Sequence, residues 1–173
     1  MKQLLLISAL MTLSLTNYAQ DYETMVDEHN GKTHKMLTGH ITDNLLKTDT
    51  AFDWFAGAQR IYEPKKEVVK TLSGKKDKVS YTVFMGTWCP DSQFVIPRFF
   101  KILDAAGIDD SKVSMTAVDR SKIDKNKEAE RLKITNVPTI IVYNNDTELG
   151  RVVEYGTTGR FDEELAAIVK KAK

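Results

Sequence analysis

The sequence predicts an α/β fold, a sheet of mixed strand direction with helices on both faces. Three stretches carry that expectation. Residues 79–103 pass from a β-branched and aromatic strand (79–85), through Gly86 and Thr87, into a helix that begins at Pro90. Residues 139–143 (TIIVY) form a continuous apolar run suited to a strand buried on both faces. A turn at 144–146 and a return strand at 149–153 follow it. Residues 161–172 close the chain as an amphipathic helix with Phe161, Leu165, Ile168 and Val169 on one face.

The other elements follow in chain order. Residues 20–32 are polar and aperiodic, and a loosely ordered leader is expected there. Residues 35–41 suit a short strand. Residues 52–72 carry apolar side chains from Phe52 to Leu72 behind a candidate N-cap at Asp49 or Thr50. Pro64 divides them into two helical pieces or kinks a single helix. Residues 73–78 make the loop into the first buried strand. The helix from Pro90 places Phe94, Phe99 and Leu103 at three- to five-residue intervals. A turn at 107–110, a strand at 113–118 and a charged helix at 125–132 lead to Val137 and Pro138.

The chain has 173 residues, enough for one domain with a real core. Residues 1–19 have the pattern of a secretory signal peptide: Lys2, an apolar run over 4–15, then small and polar residues ending at Ala19. That run is too short to span a bilayer. Cleavage near Ala19 would leave a periplasmic or secreted protein, with an N-terminal extension over 20–50 and the main domain over 51–173. Without Lys2 the chain has 24 basic and 24 acidic residues, a balance that points to neither nucleic acid nor an anionic membrane.

Cys89 is the only cysteine. A chain with one thiol forms no internal disulfide, and outside the cytosol such a thiol suggests intermolecular pairing or a reactive site. The competing reading is a buried, inert cysteine acting as a small hydrophobe. Its position favours reactivity. Cys89 lies on a strand-to-helix turn just before Pro90, a residue suited to the first helical position. There the helix dipole and unpaired N–H groups favour the thiolate, which is the form that attacks disulfides.

At these residues the chain resembles the thioredoxin-like superfamily, in its secreted bacterial branch. Trp88-Cys89-Pro90-Asp91-Ser92 stands where thioredoxins carry W-C-x-x-C. Pro97 matches the proline that bends the nucleophile helix. Val137-Pro138-Thr139 looks like the loop whose cis proline faces the active site. Asn144-Asn145-Asp146, Gly150 and Gly156 match the hairpin and the glycine beside the substrate groove. The resemblance covers residues 79–173 and is loose before them. It implies a thioredoxin-like fold, Cys89 as nucleophile, a supporting motif of Trp88, Pro90, Asp91 and Ser92, and a groove at Val137, Pro138 and Gly156.

Two departures bear on the chemistry. Ser92 replaces the resolving cysteine, and Val83 stands where many members bury an acid. Gly86, three residues before the cysteine, departs from the threonine of peroxiredoxins. With one thiol, Cys89 attacks a disulfide and holds the product as a mixed disulfide. An external reductant or resolving thiol, protein or small molecule, must release it. Ser92 either donates to the thiolate or satisfies backbone groups of the helix start. Trp88 either covers the thiol or packs structurally. Asp91 stabilises the helix start but opposes a nearby thiolate. Two other classes compete: a non-catalytic module that grips extended peptides, and iron–sulfur ligation by a dimer. His29, His34 and His40 fit no familiar zinc spacing, so neither metal nor cofactor is expected.

Overall fold

The computed structural model describes residues 21–29 and 31–173, and the expected signal peptide lies outside the described residues. Its strands are β1 (Tyr22–His29), β2 (Lys32–Ile41), β3 (Ser80–Met85), β4 (Val113–Ala117), β5 (Thr139–Asn144) and β6 (Thr147–Val153). They form one sheet in the order β1-β2-β4-β3-β5-β6. Only the β3–β4 pair is parallel, and the other neighbours are antiparallel. The helices are α1 (Asp43–Thr48), α2 (Trp54–Arg60), α3 (Lys66–Ser73), α4 (Pro90–Ala106), α5 (Glu128–Arg131) and α6 (Phe161–Val169).

Strand alternation divides the core unequally. Along β3, Tyr81, Val83 and Met85 enter the main cluster, while Phe84 turns to the opposite face. Along β5, Ile140 and Val142 join the first face and Ile141 the second. The main face is covered by α2, α3, α4 and α6, with Val95, Ile96, Phe99 and Leu103 of α4 at its centre. Phe99 meets Tyr81 edge-on at 5.4 Å between ring centroids. The second face has a smaller buried cluster of Phe84, Cys89, Val118, Ala129, Ile134, Val137 and Ile141, with Trp88, Leu132 and Tyr143 packed against it. Helices thus lie on both faces, but only the four-residue α5 contributes to the second.

Several expectations are corrected in detail. Within the stretch expected to be a loose leader, Tyr22–His29 is a strand that pairs along its length with β2. No hydrophobic alternation marks that strand. Asp27 is its one buried position, and its carboxylate takes two 2.7 Å hydrogen bonds from the Arg120 guanidinium. The charged helix expected over 125–132 shortens to four residues, entered by Lys127 in a left-handed conformation. Asp124 caps it, accepting from the amides of Asn126, Glu128 and Ala129. Helix α1 was not legible. It is six residues long, too short to show a period, and starts with Thr42 accepting from the Leu45 amide. Asp49 does cap, but on the turn over Thr50–Phe52. Phe94 of α4 is largely solvent-facing, whereas its neighbours Val95 and Ile96 are fully buried.

The Asp27–Arg120 pair has a pH consequence. Hydrogen bonding from Arg120, the largest influence, holds the Asp27 carboxyl below its ordinary value of 3.8. Because the folded value is depressed, the pair's stabilisation is complete above the unfolded pKa of about 3.9 and is lost as pH falls through the folded value. Urea midpoints measured from about pH 7 to about pH 2 should therefore fall at the acid end. In Asp27→Asn that acid-side slope should be shallower.

Candidate functional site

The turn from β3 to α4 puts residues 86–92 beyond the C-terminal end of the central strand. Gly86 is fixed there from two sides: its amide donates to Ser92 Oγ at 3.1 Å, and its carbonyl accepts from the Cys89 amide at 3.0 Å. The Trp88 indole lies directly against Gly86. A Cβ at position 86 would stand 2.6 Å from the ring, so glycine is required by the close approach. Trp88 Nε1 donates to the Val118 carbonyl at 2.9 Å, tying the ring to the segment after β4. Cys89 is the N-cap of α4 and Pro90 its first residue.

The thiol is 7% exposed and packs among the second-face residues. Cys89 Sγ donates to the Val137 carbonyl at 3.3 Å, and the Val137–Pro138 peptide bond is cis. The sequence-expected pair of Cys89 and the 137–138 loop is thus brought into contact from 48 residues apart. Gly156 belongs to the same end of the molecule by way of its neighbour Tyr155, whose hydroxyl donates to Asp91 Oδ1 at 3.0 Å. Burial, and then the Asp91 carboxylate, push the Tyr155 hydroxyl above its ordinary range. Gly156 itself has φ +77° and lies against the Glu164 carboxylate, which would meet a Cβ at 2.6 Å.

Ser92 is fully buried and accepts from the Gly86 amide, so of its two expected roles the structure shows the backbone one. Trp88 is both packed and half-open. Its inner edge is hydrogen-bonded, and the Arg120 guanidinium lies 4.7 Å from the ring centroid. The Asp27 carboxylate favours the charged form of Arg120, as does the smaller influence of Cys89.

Sequence reasoning missed the N-terminal hairpin's share of the site. Thr87 Oγ1 accepts from the Leu37 amide of β2, while Asp27 of β1 holds Arg120 over Trp88. Between the hairpin and the motif lies a cleft of about 410 Å³, bordered by His29, His34, Trp88, Pro90, Gln93 and Arg120. Among the described residues, no group of three or more His, Cys, Asp or Glu is placed to hold a metal ion.

Two substitutions test this turn. Ser92→Ala strands the buried Gly86 amide and should cost about 1–3 kcal/mol in urea unfolding. Gly86→Ala should displace the Trp88 ring, read as a changed Trp88 emission spectrum in a Trp54→Phe background.

The family model for thioredoxin matches residues 64–171. A thioredoxin from Echinococcus granulosus is 32% identical over 100 residues, covering 53% of this chain and 87% of that protein. Among solved structures, an HIV epitope-scaffold aligns over 76% of this chain and 92% of its own, with TM-score 0.54 and 15% identity. The germline-specific thioredoxin Deadhead from Drosophila melanogaster aligns over 59% and 88%, with TM-score 0.40 and 19% identity. The family match spans β3, the Cys89 turn, α4 and the cis-proline loop, and the chain belongs to the thioredoxin family, whose general chemistry is thiol–disulfide exchange.

Proposed function

We propose that the protein is a secreted, periplasmic monothiol oxidoreductase or isomerase in which Cys89 attacks substrate disulfides. The observation that carries this reading is the placement of Cys89 at the N-cap of α4 with its sulfur 3.3 Å from the Val137 carbonyl. An anionic sulfur at a helix N-terminus is favoured by the dipole. The 137–138 backbone beside it offers an edge along which an extended substrate segment can pair.

The cycle has two exchanges. The Cys89 thiolate attacks one sulfur of a substrate disulfide, forming a Cys89–substrate bond and expelling the other sulfur as a thiolate. Ser92 cannot displace the adduct, because it carries no thiol and its oxygen faces the Gly86 amide. An external thiolate therefore attacks the substrate-side sulfur and returns Cys89 as the leaving thiolate. In the isomerase case that thiolate belongs to the substrate. Secretion rests on the signal-like residues 1–19. No helix among the described residues is long and apolar enough to cross a membrane.

A second reading, a non-catalytic module for extended peptides, is favoured by the 7% exposure of Cys89. Alkylation separates the two. The redox reading expects the folded chain to label at Cys89 faster than the urea-unfolded chain at neutral pH. It also expects Cys89→Ala to lose every disulfide adduct seen by intact mass. Labelling that appears only on unfolding, with peptide binding retained in Cys89→Ala, would replace it with the module.

A further inference from the structure

The cleft beside the motif is walled by the N-terminal hairpin, which lies outside the family match at 64–171. Trp88 and Pro90, the residues on either side of Cys89, both line it, while Cys89 itself, 7% exposed and bonded to the Val137 carbonyl, lies just behind them. Its volume of about 410 Å³ is on the scale of a small-molecule site rather than a protein interface.

Its wall is asymmetric in charge. Lys35 and Arg120 are the basic side chains on the lining, His29 and His34 add ring nitrogens, and Asp53 is the one carboxylate there. The partners of the two cations, Asp49 and Asp27, do not line the cleft. Asp27 engages Nε and Nη2 of Arg120, which leaves the other guanidinium N–H groups for a further acceptor. The same grip fixes the plane of the guanidinium over Trp88, so its orientation is set before any ligand arrives. A planar fork held in this way is suited to a carboxylate.

We infer that this cleft is a subsite for a low-molecular-weight disulfide or thiol that bears a carboxylate, with Arg120 and Lys35 holding the carboxylate while the sulfur end extends past the Trp88–Pro90 rim to Cys89. This deepens the Cys89 reading and rests on it. In the exchange the Cys89 thiolate attacks one sulfur of R–S–S–R. A Cys89–S–S–R bond forms, the original S–S bond breaks, and R–S⁻ leaves and takes a proton from water. A second carboxylate-bearing thiolate in the same cleft then attacks the R-side sulfur and restores the Cys89 thiolate.

The test uses the reduced full chain with two probes, dithiodipropionate, which carries carboxylates, and hydroxyethyl disulfide, which does not. Adduct formation is followed by intact mass, and the ratio of the two rates is compared with the same ratio in the urea-unfolded chain. The subsite predicts a ratio about tenfold higher in the folded chain, the size of one charge-assisted hydrogen bond. It also predicts a dithiodipropionate rate that saturates with concentration and a preference that shrinks as salt rises. Arg120→Gln and Lys35→Gln should each lower the ratio. The lysine variant and the salt series leave the Asp27–Arg120 pair intact, so a misfolded arginine variant does not remove the test. Equal ratios in folded and unfolded chains, or a preference indifferent to salt and to Lys35→Gln, overturn the subsite and leave Cys89 as nucleophile. No adduct with either probe overturns the Cys89 reading, and the subsite with it.

Discussion

Everything around the thiol depends on the close approach of backbone and indole at Gly86. With no Cβ there, Trp88 folds flat against the chain, and the Gly86 amide and carbonyl are both taken by the start of α4. Those contacts set the angle at which α4 leaves the end of β3. That angle buries Val95, Ile96 and Phe99 on the main face while Cys89 enters the smaller cluster opposite. One short turn thus connects two cores. The cysteine stands where they meet.

The same geometry sets the environment of the sulfur. Val137 supplies both apolar cover and a carbonyl acceptor, and Phe84, Ile134 and Ile141 exclude water from the inner side. Serine in place of a resolving cysteine completes the turn's hydrogen bonding without offering a second sulfur. In the cycle proposed for Cys89, the resolving thiol accordingly comes from outside the helix.

The hairpin of β1 and β2 shapes the surface beside the motif. It extends the sheet beyond β4 and reaches over the motif, with Leu37 bonded to Thr87 and Asp27 bonded to Arg120. An ion pair with one buried partner costs desolvation, and here the Asp27 side chain is 7% exposed. Two parallel 2.7 Å bonds offset that cost and hold the arginine in one orientation. The result is a cationic wall beside Trp88.

The sequence by itself determined the central strand, the helix that starts at Pro90, the final hairpin and the last helix. Their apolar residues repeat at the period of the element they form, and Gly86, Pro90 and Pro138 punctuate them. Cys89 stood out as the one thiol on a strand-to-helix turn, and the Val137–Pro138 loop through its resemblance to the family's cis-proline loop. What only the tertiary structure decided is pairing between distant polar residues. Strand β1 has no apolar alternation, so nothing local distinguishes it from a loop, and it exists through β2 and through Asp27 meeting Arg120 from 93 residues away. Tyr155 reaching Asp91 belongs to the same class. Hydrophobic burial leaves a periodic trace along the chain, whereas a hydrogen bond between two surface-type residues leaves none until the fold brings them together.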